Sequence, residues 1–267
     1  METNPYAPPK AAVIEAAAEE GELIPEGRKV STGRGKAWIG EGWALFKQAP
    51  GTWILIFIVF MLLTLVLMVI PGGSLVYYLV LPIFLAGLML GCRDIEAGQP
   101  LTVGHLFAAF KLNVGNLILV GLLYLAGTLV LTFIAFVPIG VVAAFVIPGL
   151  MDGTAGTAPD PDTVMWTFIP LIVLGVLIAF AVSIPLLMAL WFAPALVIFH
   201  DMAPMESMKA SFRGCLKNLM PFLWYGVIGF GLLILALIPV GLGLLVVSPL
   251  FWATMYTGYR DIYLRPT

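Results

Sequence analysis

The chain has 267 residues, 61% of them apolar and 10% charged, with a net charge of −2 and a mean hydropathy of +1.05. A soluble domain carries roughly a quarter charged residues, and 13 of the 28 charges here crowd into the first 50 positions. This excludes a soluble enzyme, a nucleic-acid binder and a disulfide scaffold, for which Cys92 and Cys215 are too few. It leaves an all-α class: a polytopic transmembrane helical bundle.

Residues 1–35 open Asn4-Pro5-Tyr6-Ala7-Pro8-Pro9 and continue in an Ala/Glu run. They read as a disordered cytosolic tail, either a tether or a linear motif that docks a partner. Apolar sequence begins near Trp53, too late for a signal peptide, so an uncleaved N-terminus is expected. Residues 36–267 form the membrane domain. Thr52–Cys92 is broken by Pro71-Gly72-Gly73-Ser74 into two spans, and Leu219–Tyr259 is broken by Pro239–Gly243 into two more. Between them, Asn116–Ile147 and Val164–Phe199 are counted as one span each, separated by the acidic, Gly/Pro-rich stretch Pro148–Thr163. Both are too long for one crossing: helices of roughly 48 and 54 Å against a hydrocarbon core of about 30 Å.

All 13 lysines and arginines precede span 1, follow span 2, follow span 4 or follow span 6. The positive-inside rule then puts both termini in the cytoplasm.

The six spans read as three repeated hairpins. Pro82–Ile95 (PIFLAGLMLGCRDI) and Pro249–Ile262 (PLFWATMYTGYRDI) are identical at seven of fourteen positions. Pro185–Ile198 keeps Pro185, Ala189 and Ile198 but lacks the Arg-Asp pair. Phe46-Lys47, Phe110-Lys111 and Leu216-Lys217 recur six residues ahead of Trp53, Leu117 and Leu223. The units are about 36–95, 100–198 and 204–262, and the second carries 42 extra residues around 138–181 on the outer side. That extra segment is expected to pack as an outer-leaflet or periplasmic protrusion. Each unit opens with a segment of interfacial amphipathic character, shown by Trp38, Trp43 and Phe46, by Leu106, Phe107 and Phe110, and by the Met205–Leu219 apolar stripe.

Candidate lipid-headgroup contacts are Arg93 and Arg260, which end two inward spans, and Lys209, Arg213 and Lys217, an i, i+4 row. For Arg93-Asp94 and Arg260-Asp261 the plainer reading is a topology anchor beside a partly neutralising neighbour. Pro82, Pro185 and Pro249 kink the inward spans, and the kinks either line a central cavity or allow close packing. The hydroxyls Thr64, Thr128, Thr132, Ser183, Ser248 and Thr254 are expected to bond helix backbone. No ionisable side chain lies in the apolar cores of the spans, against a proton-coupled transporter. Cys92, His105, His200 and Cys215 map to one side but lack zinc-ligand spacing, and no catalytic motif is present. No cofactor, metal or enzymatic activity is expected.

The NPYAPP opening, Gly42-Trp43-x-Leu45-Phe46-Lys47 and the Tyr259-Arg260-Asp261-Ile262 ending resemble an uncharacterised family of six-helix bacterial inner-membrane proteins. That group resembles more distantly the YciC-like proteins and the membrane domain of some glycerophosphodiester phosphodiesterases. The resemblance implies a multi-pass cytoplasmic-membrane protein and supplies no catalytic residue. The expected role is to organise membrane lipid or to scaffold an envelope partner. The alternative is a transporter or flippase-like carrier of an apolar or amphipathic molecule through the repeat interface.

Overall fold

The computed structural model describes residues 21–151 and 161–265. It is all-α apart from an isolated antiparallel bridge, Leu23 to Leu264. In chain order the helices are α1 (Arg34–Gln48), α2 (Pro50–Val69), α3 (Gly73–Glu96), α4 (His105–Ala108, continued by a 3₁₀ turn over Ala109–Lys111) and α5 (Val114–Met151). They are followed by α6 (Pro161–Trp191), α7 (Ala193–His200), α8 (Pro204–Lys217), α9 (Leu219–Leu237) and α10 (Leu244–Tyr263).

Five stretches are long and apolar enough to cross a membrane: α2, α3, Val114–Val137 of α5, Ile172–His200 across α6 and α7, and α9. The sixth expected span, α10, does not reach that apolarity, because its second half reads Thr254-Met-Tyr-Thr-Gly-Tyr-Arg-Asp. Those residues are covered by protein: Ala253–Tyr259 are all buried. The boundaries follow local chemistry. Proline opens α2, where its missing N–H costs nothing, and Gly72 at φ +78° makes the turn into α3. Four of the hydroxyls bond their own helices: Thr128 to the Tyr124 carbonyl at 2.9 Å, Thr132 to that of Thr128 at 2.8 Å, Ser183 to that of Ala179 at 2.6 Å and Thr254 to that of Phe251 at 2.8 Å.

Burial is concentrated at one end, the end that carries the basic residues. Pro82–Cys92 of α3 and Ala193–Ile198 of α7 are buried throughout. Trp38, Trp53, Phe192, Tyr256, Tyr259 and Tyr263 are the largest fully buried side chains. Towards the far end α2, α6 and α9 expose apolar side chains around most of their circumference, as lipid-facing helices do.

The short helices make a ring around that buried end. Helix α1 lies on α10, α4 on α3, and α8 on α6 and α7. So each short helix packs under the inward helix of the preceding hairpin, and the first closes onto the last. The approach is close enough to require glycine. A Cβ at Gly87 would lie 2.3 Å from the His105 carbonyl oxygen, and one at Gly42 would lie 2.6 Å from Cγ2 of Thr254.

One expectation changes, and a second segment gains detail. Of the tail expected to be disordered over 1–35, residues 21–33 are a strap fixed to the end of α10, and residues 1–20 lie outside the described residues. Ile24 N–H donates to the Tyr263 carbonyl at 2.7 Å and Arg28 N–H to that of Ile262 at 2.8 Å. The strap and the end of α10 therefore share one end of the bundle. The extra segment around 138–181 is helical where described: α5 runs to Met151 and α6 begins at Pro161. At 38 and 31 residues these helices are about 57 and 46 Å long, against a core of about 30 Å. Met165, Trp166 and Ile169 are exposed, Trp166 by 72%.

Gly87→Val should lower stability by about 1–3 kcal/mol, as overpacking does, because backbone rather than a flexible side chain blocks the new atoms. Thermal unfolding in detergent checks this; Gly40→Ala, with nothing within 4 Å of its added Cβ, is the matched control.

Candidate functional site

The ends of α3, α7 and α10 meet at the centre of the ring. Arg93 of α3 sits over the Phe199 ring at 5.6 Å. Phe199 of α7 stacks on Tyr259 of α10 at 5.5 Å. The triangle closes where Tyr256 donates its hydroxyl to Glu96 at 3.0 Å and Arg260 pairs with the same carboxylate. His200 Nε2 and the Tyr259 hydroxyl share a 2.6 Å hydrogen bond beside this stack. Aromatic faces and a shared carboxylate thus fill the place where the three helix ends converge.

A second cluster ties down the strap. The Asp261 side chain is 9% exposed. It accepts from Arg28 Nη2 at 2.8 Å, Arg34 Nε at 2.5 Å and Trp38 Nε1 at 2.9 Å. Partial burial works against the Arg34 guanidinium, but its bonds to Asp261 and Glu41 outweigh this and raise its pKa. Asn218, fully buried between α8 and α9, accepts from Val30 N–H at 2.8 Å and donates to the Arg28 carbonyl at 2.9 Å and the Gly214 carbonyl at 2.8 Å. The strap's backbone is therefore satisfied by side chains as well as by the edge of α10.

The Arg-Asp pairs behave differently. Arg93 bonds its own neighbour Asp94 at 3.1 Å, the anchor with a neutralising partner. Arg260 does not bond Asp261; it takes Glu96, and Asp261 is left for the strap. Asp94 also meets His105 Nε2 at 3.0 Å, while Thr102 N–H donates to His105 Nδ1 at 3.0 Å. Thr102 and His105 thus make a local turn ahead of α4, tied to Asp94 of α3, despite their likeness to a hydroxyl-His-Asp relay. Among the described residues no group of three His, Cys, Asp or Glu is placed to hold a metal ion.

The expected headgroup contacts are largely occupied by protein. Arg213 pairs with Glu26 at 3.0 Å, and Lys217 donates to the Glu26 and Gly27 carbonyls at 2.8 and 3.1 Å. Every arginine in the sequence makes an ion pair with a carboxylate. Lys209 is exposed and makes no ion pair among the described residues. The proline trio does not share one environment: Pro82 and Pro249 are buried, whereas Pro185 is exposed. Pro185 lies above the point where its helix enters the packed end, so the three prolines differ in packing environment. The strap, Asn218, Glu96 and the His200–Tyr259 bond had no sequence signal beyond their polarity, since their side-chain partners lie 59 to 233 positions away.

The chain is similar to a protein of Burkholderia thailandensis named as a probable inner membrane protein, with 27% identity over 206 residues, 76% of this chain and 75% of that one. No family model matches, so the likeness to YciC-like proteins and to the phosphodiesterase membrane domain is not shown. No solved structure matches. Together the relative and the apolar helices describe a multi-pass inner-membrane protein.

Asp261→Asn should cost about 3 kcal/mol, the range for breaking a buried ion pair, and should speed proteolysis within residues 21–33. Asp94→Asn, whose carboxylate is 30% exposed, should cost less than about 1 kcal/mol. Burial pushes the Cys215 thiol well above its usual pKa, against a lowering bond to Ser211. Maleimide should label it only on unfolding, which mass spectrometry of the labelled protein would report.

Proposed function

We propose that this chain is an inner-membrane protein without enzymatic activity that organises lipid or scaffolds an envelope partner, with its basic end in the cytoplasm. The observation that carries this reading is the filled centre of the basic end. The α3–α7–α10 junction is packed with aromatic side chains and a carboxylate, while the described lysines and arginines lie in the ring, the strap and the adjoining helix ends and the apolar surface of the spans points outward. A molecule built this way presents its outside. The orientation is supported by the basic residues, all described ones of which sit in the strap, the ring or the adjoining helix ends.

A transporter or flippase-like role is the second reading. It is favoured by the change of packing along α3 and α10, which are mostly exposed or half-buried before Pro82 and Pro249 and mostly buried after them. A carrier would open its packed end about those prolines.

Purification in native lipid particles, with bound proteins and lipids identified by mass spectrometry, separates the two. A stoichiometric protein or a defined lipid shell retained by the full chain supports the first reading. A single enriched small molecule without either supports the second. Removing residues 1–20 while leaving the strap intact should release the partner if the tail holds it.

A further inference from the structure

We propose that Lys47 and Lys111 each bind the phosphate of an anionic phospholipid in the leaflet at the basic end, an inference that rests on the lipid-organising reading. The three short helices present their last lysine at corresponding places, Lys47, Lys111 and Lys217, each two or three residues before an outward span. In the third, the lysine is already coordinated: Lys217 holds the Glu26 and Gly27 carbonyls, and Arg213, four residues earlier, holds the Glu26 carboxylate. The strap therefore shows what this position collects, a cluster of oxygen acceptors carrying negative charge.

In the first two helices no described residue supplies those acceptors. Lys47 and Lys111 are exposed and make no ion pair among the described residues, whereas every arginine is committed to a carboxylate. The residue four positions earlier also changes character. Where α8 has Arg213, α1 has Trp43 and α4 has Phe107, each 41% exposed. Trp43 stacks on Phe46 at 5.2 Å, and Phe107 lies 6.3 Å from Phe110. An exposed aromatic beside a lysine suits the membrane interface, where the ring sits at headgroup depth and the ammonium meets phosphate. The headgroup lysines are thus Lys47 and Lys111 instead of Arg93, Arg260 or Arg213.

The test uses the full chain in detergent, titrated with phosphatidylglycerol, phosphatidylethanolamine or glycerol 3-phosphate and read by native mass spectrometry, with thermal melts to confirm folding. The wild type should retain phosphatidylglycerol over phosphatidylethanolamine. A Lys47→Gln, Lys111→Gln double variant should lose about fivefold of that affinity per site, and Lys209→Gln should match the wild type. A double variant that retains phosphatidylglycerol like the wild type overturns the assignment and leaves the lipid-organising reading standing. An equal loss in Lys209→Gln also overturns it, since diffuse charge would then suffice. Glycerol 3-phosphate binding as well as the lipid would make the ligand a soluble phosphate and reject the membrane source. No preference between the two lipids in the wild type removes both this inference and the lipid reading beneath it.

Discussion

Asp261 is a carboxylate taken almost entirely out of solvent, and such a group is tolerated only when charged or polar donors fill its lone pairs. Arg28, Arg34 and Trp38 fill them here, and they come from the strap and α1. Satisfying one buried charge therefore fixes the strap, orients α1 along α10 and closes the ring of short helices. With α10 held from outside by α1, its inner face is presented to Glu96 and Phe199. The junction depends on the same contact at one remove.

The two ends of the molecule obey different physics. In the span region lipid is as apolar as the side chains, so burial gives little drive for association, and close backbone approach and packing must supply it. At the basic end, ion pairs, charge-assisted hydrogen bonds and aromatic stacks act near water, and the core is correspondingly dense. A tight end and loosely associated far halves fit a protein whose surface does the work. The same division would let a carrier flex about Pro82 and Pro249, which lie at its border. Pro185 sits further from the packed end, in the long helix α6, so the three prolines are not mechanically equivalent.

Much of the fold was legible in the sequence. Apolar block length, the Pro-Gly breaks and the placement of lysine and arginine located the helices, because membrane insertion constrains each of them locally. The Arg93–Asp94 pair was legible for the same reason, as its partners are adjacent. The strap was not. Residues 21–33 are rich in polar residues and glycine and carry no apolar periodicity, and their order comes from Asp261 and Asn218, 188 to 233 positions away. Arginines were read as lipid-facing because a planar guanidinium suits phosphate, yet it suits a carboxylate equally, and Glu22, Glu26, Glu41, Glu96, Asp94 and Asp261 were within reach. Lysines without such partners were left as the outward charges, a division that residue type alone does not reveal.

The strap also sets an order of events during synthesis. Arg28 and its acceptor Asp261 are 233 positions apart, and at ordinary elongation rates that separation is on the order of tens of seconds. Throughout that interval the first hairpin is in the membrane while α1 has no α10 to lie on, with Arg28 of the strap and Arg34 and Trp38 of α1 without their carboxylate. The nascent chain must keep this segment from finding other acidic partners until the final helix emerges. Assembly of the basic end is therefore a terminal, post-insertion step, and loss of a few C-terminal residues would leave a correctly inserted but unclosed protein.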